Sequence, residues 1–539
     1  MDEQPVVVPA PPRVSRLAAA ITGVVVAVAG LGVAELVASA TRRWKSPVLE
    51  VGDRVIDLVP RWAKDFAIRT FGTNDKLALL IGIGTILAIY AAVMGVVALR
   101  HRLAVGVGMA AAFGVLGAWA ATQARTNPPL HVAVPSLCGG VAAALALAVI
   151  ARAGQLPDAP ATAVPATPLP ALPEDVVDAP PASPRPAPGM NRRQLLAGGA
   201  TAVIGVALYG LGRQFAARFD AAASRAKVLL PQALRPLDAI DPAAQAAGAV
   251  PFFTPNSDFY RIDINLSVPN IDPDDWSLRV HGLVDGERRY SYADLLARDL
   301  VEADITLTCV SNEVGGRLMG TARWLGVPLQ ELLDEAGVRP DADYVVGRSF
   351  DGFTAGFPLG VLDGRAALLA VGMNGEPLPL IHGFPARLVV PGVYGYSSAT
   401  KWITEIELTR LDDAPTYWVE RGWSVEAPIK TSSRIDTPAG LASVPRGLVA
   451  VAGVAWSQPV GISRVEVRVD DGPWERATLA AEVNGSTWRQ WSFPWQASAG
   501  RHTLTVRATD NNGAIQIEER SEPFPSGVTG WHQIVVLVA

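Results

Sequence analysis

The sequence predicts a multi-domain chain: an N-terminal α-helical transmembrane bundle, then an α+β domain, then a C-terminal antiparallel β-sandwich. Three observations carry this reading. Four long apolar stretches occupy the first third, a Pro/Ala-rich run follows them, and beyond about Leu441 short strand-like runs alternate with turn signals. Composition agrees, because half of the 539 residues are apolar and only 18% are charged, against roughly 25% in ordinary soluble domains. Mean hydropathy is +0.25. The length leaves room for several domains.

The apolar stretches run over Leu17–Ala40, Leu77–Leu99, Leu103–Thr122 and Val132–Ala153. Each approaches or exceeds the ~20 residues a helix needs to cross a ~30 Å hydrocarbon core. Glu35 is their one conspicuous charge, and the mixed segment Ser46–Lys76 reads as lying along the interface. Residues 1–154 therefore form a four-helix transmembrane region. Residues 155–190 are dominated by Pro and Ala, cannot bury a core, and read as a linker. Residues 191–213 hold a fifth, milder apolar stretch, Leu195–Gly212, opened by Arg192–Arg193. With Asn191 before the pair and Leu195–Leu196 after it, this resembles a twin-arginine export signal; a plain positive-inside flank would carry the same charges. Arg100, Arg102 and Arg152 mark cytoplasmic ends, so everything beyond Gly212 is expected outside the cytoplasm, in a multi-pass membrane protein. Arg42, Arg43 and Lys45 lie on the other side of that topology and disagree with it.

An amphipathic stretch from Phe215 to Leu230 leads off the membrane, and residues 240–410 form the α+β domain. Strand-like runs such as "WSLRVHG" and "ARLVV" mix there with the helical "PLQELLDEAG". A connecting segment, 411–440, joins it to the sandwich, 441–539. The sandwich strands are "GLVAVAGVAW", "SRVEVRVD", "STWRQWSF", "RHTLTVRATD" and "HQIVVLVA", with turn signals at Asp470-Asp471-Gly472 and Asp510-Asn511-Asn512-Gly513.

Several function classes fall away. A net charge of −5 and a pI near 5.8 offer no footprint for nucleic acid, which demands clustered positive charge. Two cysteines, Cys138 in an apolar run and Cys309 in the polar half, support neither a disulfide framework nor a CxxC zinc site. None of the six histidines falls inside an apolar span, so a bis-His haem within the membrane is not supported. Cys309 remains as a ligand or nucleophile, although without a motif an inert buried thiol is the commoner state.

Four clusters supply the motif: "FFTPNSDFYRID" (252–263), "ITLTCVSNEVGG" (305–316), "GTARWLGVPL" (320–329) and "MNGEPLPLIHGFPARLVVPGVYGYSSATKW" (373–402). Together they resemble the sulfite oxidase family, whose "MNGxPLP…HGxPxRxVVPG…KW" signature the fourth follows nearly residue for residue. "PIKTSSRIDTP" (428–438) and the closing "SGVTGWHQIVVLVA" resemble the segments that open and close that family's dimerisation domain, an immunoglobulin-like sandwich. The resemblance spans about Pro251 to Ala539. It implies a molybdenum-dependent oxidoreductase whose cofactor is Mo-molybdopterin, with Cys309 as the thiolate ligand of molybdenum. Soft thiolate suits such a centre. By the same resemblance His382, Arg387, Asn256, Tyr260, Arg261, Ser349, Ser398 and Lys401 are cofactor contacts, and Arg323 in "TARW" is an active-site cation.

Two departures stand out. The family continues its cysteine motif as "CxGNRR", where this chain has Glu313 and Val314, and it carries a catalytic tyrosine in "AYxMNG", where this chain has Val371. Losing charge-assisted donors argues against sulfite as substrate. The expectation is oxygen-atom transfer on a small-molecule substrate, with reduction of S-oxides or N-oxides and a catalytically degenerate scaffold as alternatives. No cytochrome-like segment is present, so the expected electron partner is a separate transfer protein or a quinone-linked one. The bilayer is the other partner, and the sandwich is the expected homodimer contact.

Overall fold

A computed structural model describes residues 14–41, 44–60, 63, 66, 70–71, 75–123, 129–154, 190–217, 221–413 and 415–539. The linker 155–190, apart from Met190, and the pair Arg42 and Arg43 lie outside the described residues. The chain divides into two units, Met1–Phe219 and Asp220–Ala539.

The first unit is helical. Its helices are α1 (Arg16–Ala38), α2 (Pro47–Leu58), α3 (Asp75–Arg100), α4 (Leu103–Thr122), α5 (Val134–Ala153) and α6 (Arg192–Ala217). All except α2 belong to stretches long and apolar enough to cross a membrane, five in total among the described residues. Ser15 opens α1 by accepting the Ala18 N–H at 3.1 Å, an ordinary N-cap. Close approach through small residues holds α1 to its neighbours: a Cβ on Gly23 would lie 1.9 Å from the Ala91 carbonyl oxygen on α3, and one on Gly32 would lie 2.2 Å from that of Gly205 on α6. Without a hydrophobic drive between helices in lipid, such contact is the main source of association. The N-terminus of α6 docks at the C-terminus of α5, where Asn191 Nδ2 donates to the Ala153 carbonyl at 3.3 Å.

The second unit starts ahead of the predicted boundary at 240. The Leu234 N–H donates to Leu300 O at 2.8 Å and the Leu237 N–H to Glu302 Oε2 at 2.7 Å, so this leading segment belongs to the folded unit. Two sheets follow. The first has β1 (Ser277–Gly282), β2 (Arg288–Ser291), β5 (Tyr344–Ser349), β6 (Thr354–Pro358) and β10 (Ile403–Thr409) in the order β2-β1-β10-β5-β6. β1 and β10 run parallel and the other pairs antiparallel. The second runs β3 (Val301–Thr308), β4 (Met319–Pro328), β7 (Leu368–Met373), β8 (Glu376–Pro377), with β9 (Arg387–Val389) also paired to β7. Short helices α7 (Ala221–Arg225), α8 (Tyr292–Leu296), α9 (Leu329–Ala336) and α10 (Gly395–Ser398) complete this part. In α9 the spacing of Leu329, Leu332, Leu333 and Ala336 buries one face, as a 3.6-residue period requires. Gly337, at φ 69°, ends it. One core of fully buried side chains, among them Trp324, Trp402, Phe357 and Phe384, holds both sheets together.

The sandwich contains β11 (Ser432–Thr437), β12 (Ser443–Val444), β13 (Gly447–Trp456), β14 (Ile462–Val469), β15 (Trp474–Arg476), β16 (Thr478–Leu479), β17 (Arg489–Ala497), β18 (Gly500–Asp510) and β19 (His532–Val538). Its sheets run β11-β13-β17-β16 and β12-β19-β18-β14-β15. Inward residues such as Val451, Trp491, Val465, Leu504 and Val536 form its core. β11 pairs with β13, so the sandwich begins at Ser432 and the boundary drawn at 441 is too late. Pairing between strands distant in sequence made this strand visible where its short, polar run "SSRIDT" did not.

Candidate active site

Cys309 follows the last residue of β3. The strand alternates Ile305, Thr306, Leu307, Thr308 and pairs in register with β4 down to Thr308↔Met319, so residues 309–318 form the loop that closes this hairpin. The loop is tied at its base, where the Cys309 N–H donates to Leu318 O at 2.9 Å. The thiol is buried, which pushes its pKa up, while hydrogen bonds from the Ser311 backbone and side chain pull it back down. It lines a cleft of about 760 Å³, open mouth included, with Tyr260, Ser349, His382, Arg387 and Lys401.

His382 ends a short 3₁₀ turn, Leu380–His382, that Gly383 stops at φ 111°. Its Nε2 stands 3.0 Å from the Asn256 carbonyl oxygen, so Nε2–H is the donor there. Burial, helped by the Arg387 charge, holds its pKa down to about 4, leaving a neutral imidazole. Arg387, on β9, is 5% exposed. Its guanidinium donates to the carbonyls of His382 at 3.1 Å, and of Leu388 and Ala399 at 3.4 Å, and lies 5.1 Å over the Trp324 ring. Burial lowers its pKa to about 10, so it remains a cation, and no carboxylate is among those hydrogen-bond partners. A buried charge in that state calls for an anion. Lys401 Nζ is 3.1 Å from Asp263 Oδ2 and 4.5 Å over Trp402; burial draws it down to about 8. Tyr260 stacks on Phe259 at 5.4 Å, its phenol pushed far above the usual range by burial.

Other predicted contacts stand back from the cleft. The Asn256 side chain bonds Glu376 at 2.6 Å and Asn374 at 2.9 Å, so only its carbonyl touches the site, through His382. Arg261 pairs with Asp263 at 2.6 Å and does not line the cleft. Ser398 is fully buried and donates to the carbonyls of Val393 and Tyr394. Arg323, expected as an active-site cation, ion-pairs with Asp304 at 2.8 Å, donates to Leu237 O and Asp238 O, and is not among the residues lining the cleft. Val371, where the family motif carries a tyrosine, is fully buried in β7. Glu313 is exposed on the Cys309 loop. The apolar wall was not assigned from sequence: Phe353, Tyr396, Trp402 and Trp418 line the cleft with Ile262 and Ile264, and of these only Phe353, Trp418 and Ile264 lie outside the four motif clusters. The aromatic run Tyr417, Trp418, Trp423 after β10 was the available signal.

The residues suit an anionic, hydrogen-bonding cofactor that carries a metal. Ser349 Oγ is buried in the wall without a hydrogen-bond partner among the described residues, as are Thr308 Oγ1 and Thr400 Oγ1, next in sequence to the wall residues Cys309 and Lys401; such groups ordinarily have partners. Among the described residues no cluster of three or more His, Cys, Asp or Glu could hold a metal ion.

Comparison with known proteins agrees with this chemistry. The oxidoreductase molybdopterin binding domain family matches residues 265–418, and the bacterial Ig domain family matches residues 432–506. The chain is 30% identical over 340 residues to mitochondrial sulfite oxidase of Rattus norvegicus, covering 53% of this chain and 62% of that one. It therefore spans somewhat less than two thirds of the length of that relative. It is 36% identical over 148 residues to the uncharacterized oxidoreductase YuiH of Bacillus subtilis, covering 28% of this chain and 72% of that one. The crystal structure of the sulfane dehydrogenase SoxCD from Paracoccus pantotrophus matches with 22% identity and a TM-score of 0.47, covering 55% of this chain and 82% of that one.

Proposed function

Because this chain belongs to the sulfite oxidase family of molybdopterin oxidoreductases, with Mo-molybdopterin as its cofactor, we propose that it is a membrane-anchored enzyme of that type acting outside the cytoplasm. The observation that carries this is the buried Cys309 thiol sharing one cleft with the unpaired Arg387 cation and the neutral His382. When bound, the cofactor supplies a two-electron centre able to transfer an oxygen atom. Cys309 holds the metal as its thiolate, which coordination deprotonates despite burial. Arg387 meets the anionic part of the pterin with a planar fork. His382 accepts through Nδ1 while its Nε2–H stays committed to Asn256 O. Ser349 donates its free hydroxyl, and Lys401, tethered by Asp263, adds positive charge at the rim. The apolar wall of Phe353, Tyr396 and Trp418 excludes water from the reacting end.

The substrate on this reading is a small molecule other than sulfite, and electrons pass to or from a separate transfer protein or a quinone-linked partner. Anchoring rests on the five apolar helices. A second reading, reduction of neutral S-oxides or N-oxides, is favoured by that aromatic wall and by the exposed acid Glu313 on the Cys309 loop. The test is metal and pterin content of the purified full chain with its electron paramagnetic resonance spectrum, followed by a panel of oxides and reductants. Cys309→Ser should abolish turnover and alter the Mo(V) signal while pterin is retained. A molybdenum-loaded protein with unchanged spectrum and activity in that variant would remove Cys309 from the ligand role. A loaded protein inert toward every substrate would support the scaffold alternative instead.

A further inference from the structure

The loop that carries Cys309 is gripped from outside its own domain. Within residues 309–318 the backbone bonds form one braced unit. The Asn312 N–H donates to Cys309 O at 3.0 Å, the Gly316 N–H to Glu313 O at 2.8 Å, and the Leu318 N–H to Asn312 Oδ1 at 2.8 Å. A displacement at Gly316 thus reaches Cys309 through two hydrogen bonds. The far end of this loop, Gly315–Gly316, meets two side chains of the sandwich. Arg434 on β11 is 6% exposed; its Nε is 2.6 Å from Asp436 Oδ1 and its Nη1 donates to Gly316 O at 2.8 Å. His532 on β19 accepts the Ile435 N–H on Nδ1 at 3.0 Å, so its proton sits on Nε2. That edge of the ring faces the loop: a Cβ on Gly315, at φ 78°, would stand 2.2 Å from His532 Nε2. Beside the loop, Val310 and Met319 share one apolar cluster with Trp456 and Trp488 of the sandwich.

We propose that Arg434 and His532 are positioning residues for the Cys309 sulfur, and that the sandwich sets where the metal-binding thiolate stands. The proposal rests on the reading of Cys309 as the metal ligand. It gives the C-terminal domain a part in the chemistry distinct from self-association. Outer groups that orient metal ligands typically matter by about 10–100-fold in activity or metal affinity.

The test uses the full chain with its cofactor. Arg434→Lys keeps the charge beside Asp436 but cannot reach Gly316 O with the same fork. Gly315→Ala wedges the contact from the other side and leaves both sandwich residues in place. At matched molybdenum content, each variant should shift the Mo(V) resonance and lower kcat by about 10-fold or more, with KM changed less than about twofold. Loss of molybdenum from a variant that keeps its thermal midpoint also supports the proposal, since its one protein ligand is then misplaced. A lower thermal midpoint with an unchanged resonance and kcat overturns it, because the contacts are then only structural. Cys309→Ser separates the two levels. If its spectrum is unchanged, the ligand reading fails; if it changes while Arg434→Lys and Gly315→Ala do not, only the positioning role fails.

Discussion

Arg323 and Asp304 are register partners across β4 and β3, with Arg323 Nε 2.8 Å from Asp304 Oδ1. Asp304 is 3% exposed, so removing the arginine strands a buried carboxylate. Arg323→Met should cost about 3 kcal/mol of stability, read from a denaturant midpoint, while KM for any substrate stays within twofold of the parent. A normal midpoint with a raised KM would return Arg323 to the active site.

The same comparison of partners gives Arg387 the opposite role. Its hydrogen bonds end on three carbonyl oxygens, which do not neutralise a buried charge. Arg387→Met should therefore leave the fold intact and lower cofactor retention by about 10- to 100-fold, the worth of a charged hydrogen bond. Pterin fluorescence after oxidative release measures this. Full retention would mean that the phosphate is held elsewhere.

These two arginines show how far the sequence was legible. Arg387 stands five residues after His382 in a local motif, and a short turn and strand bring both to the cleft. Arg323 looked equivalent as a letter in "TARW", but its fate depends on Asp304, nineteen positions earlier and adjacent only through strand register. Helices α1 and α3 to α6 were legible because continuous hydropathy needs no partner. The wall formed by Phe353, Tyr396 and Trp418 was not, because three separate segments build it.

Acid should destabilise the second unit through two histidines, His382 buried and His532 half-buried. Burial holds His382 and His532 down to about 4, whereas an unfolded histidine titrates near 6.5. Between those values the unfolded chain binds more protons, so the contribution is full above about pH 6.5, declines as pH falls toward 4, and is level below. Each can contribute up to roughly 3 kcal/mol. His502 has the opposite sign, its pKa raised by the Asp470 hydrogen bond, but that pair is solvent-exposed and screened. Denaturant midpoints at pH 7 and pH 4.5 should differ more for the parent chain than for His532→Gln. Equal differences would show that His532 is protonated without penalty.

The Cys309 loop offers a direct test of substrate charge. Glu313 and Val314 occupy positions that are arginines in the family motif. Sulfite oxidation with a suitable acceptor should be slower by roughly 10²-fold than with a restored cationic loop, if each missing contact is worth a few kcal/mol. Glu313→Arg combined with Val314→Arg should raise kcat/KM for sulfite and lower it for a neutral S-oxide. Efficient sulfite turnover by the parent chain would show that another cation rebuilds the anion site. Lys430, whose Nζ donates to Gly527 O at 2.6 Å, is the first to examine.

The last prediction concerns how a loaded domain would reach the extracytoplasmic side proposed for it. Molybdopterin sits in a buried cleft, so the domain has to fold around it before crossing, which a translocon that threads unfolded chain does not permit. Helix α6 carries Arg192–Arg193 at its start, capped by Asn191, whose Oδ1 accepts the Gln194 N–H at 2.7 Å. Its start docks beside the end of α5. The preceding helices are hydrophobic enough for ordinary insertion, with mean hydropathies of 1.8 to 2.4 against 1.7 for the stretch containing α6. On the topology proposed above, the expected division of labour is ordinary insertion for the first four spans and twin-arginine transport of the folded second unit, with α6 as its anchor. Replacing Arg192 and Arg193 together by Lys keeps both charges, and with them the positive-inside signal. The folded, molybdenum-loaded domain should then accumulate on the cytoplasmic side, protected from protease added to intact cells. Protease access equal to that of the parent chain would mean that the pair acts only as a charged flank.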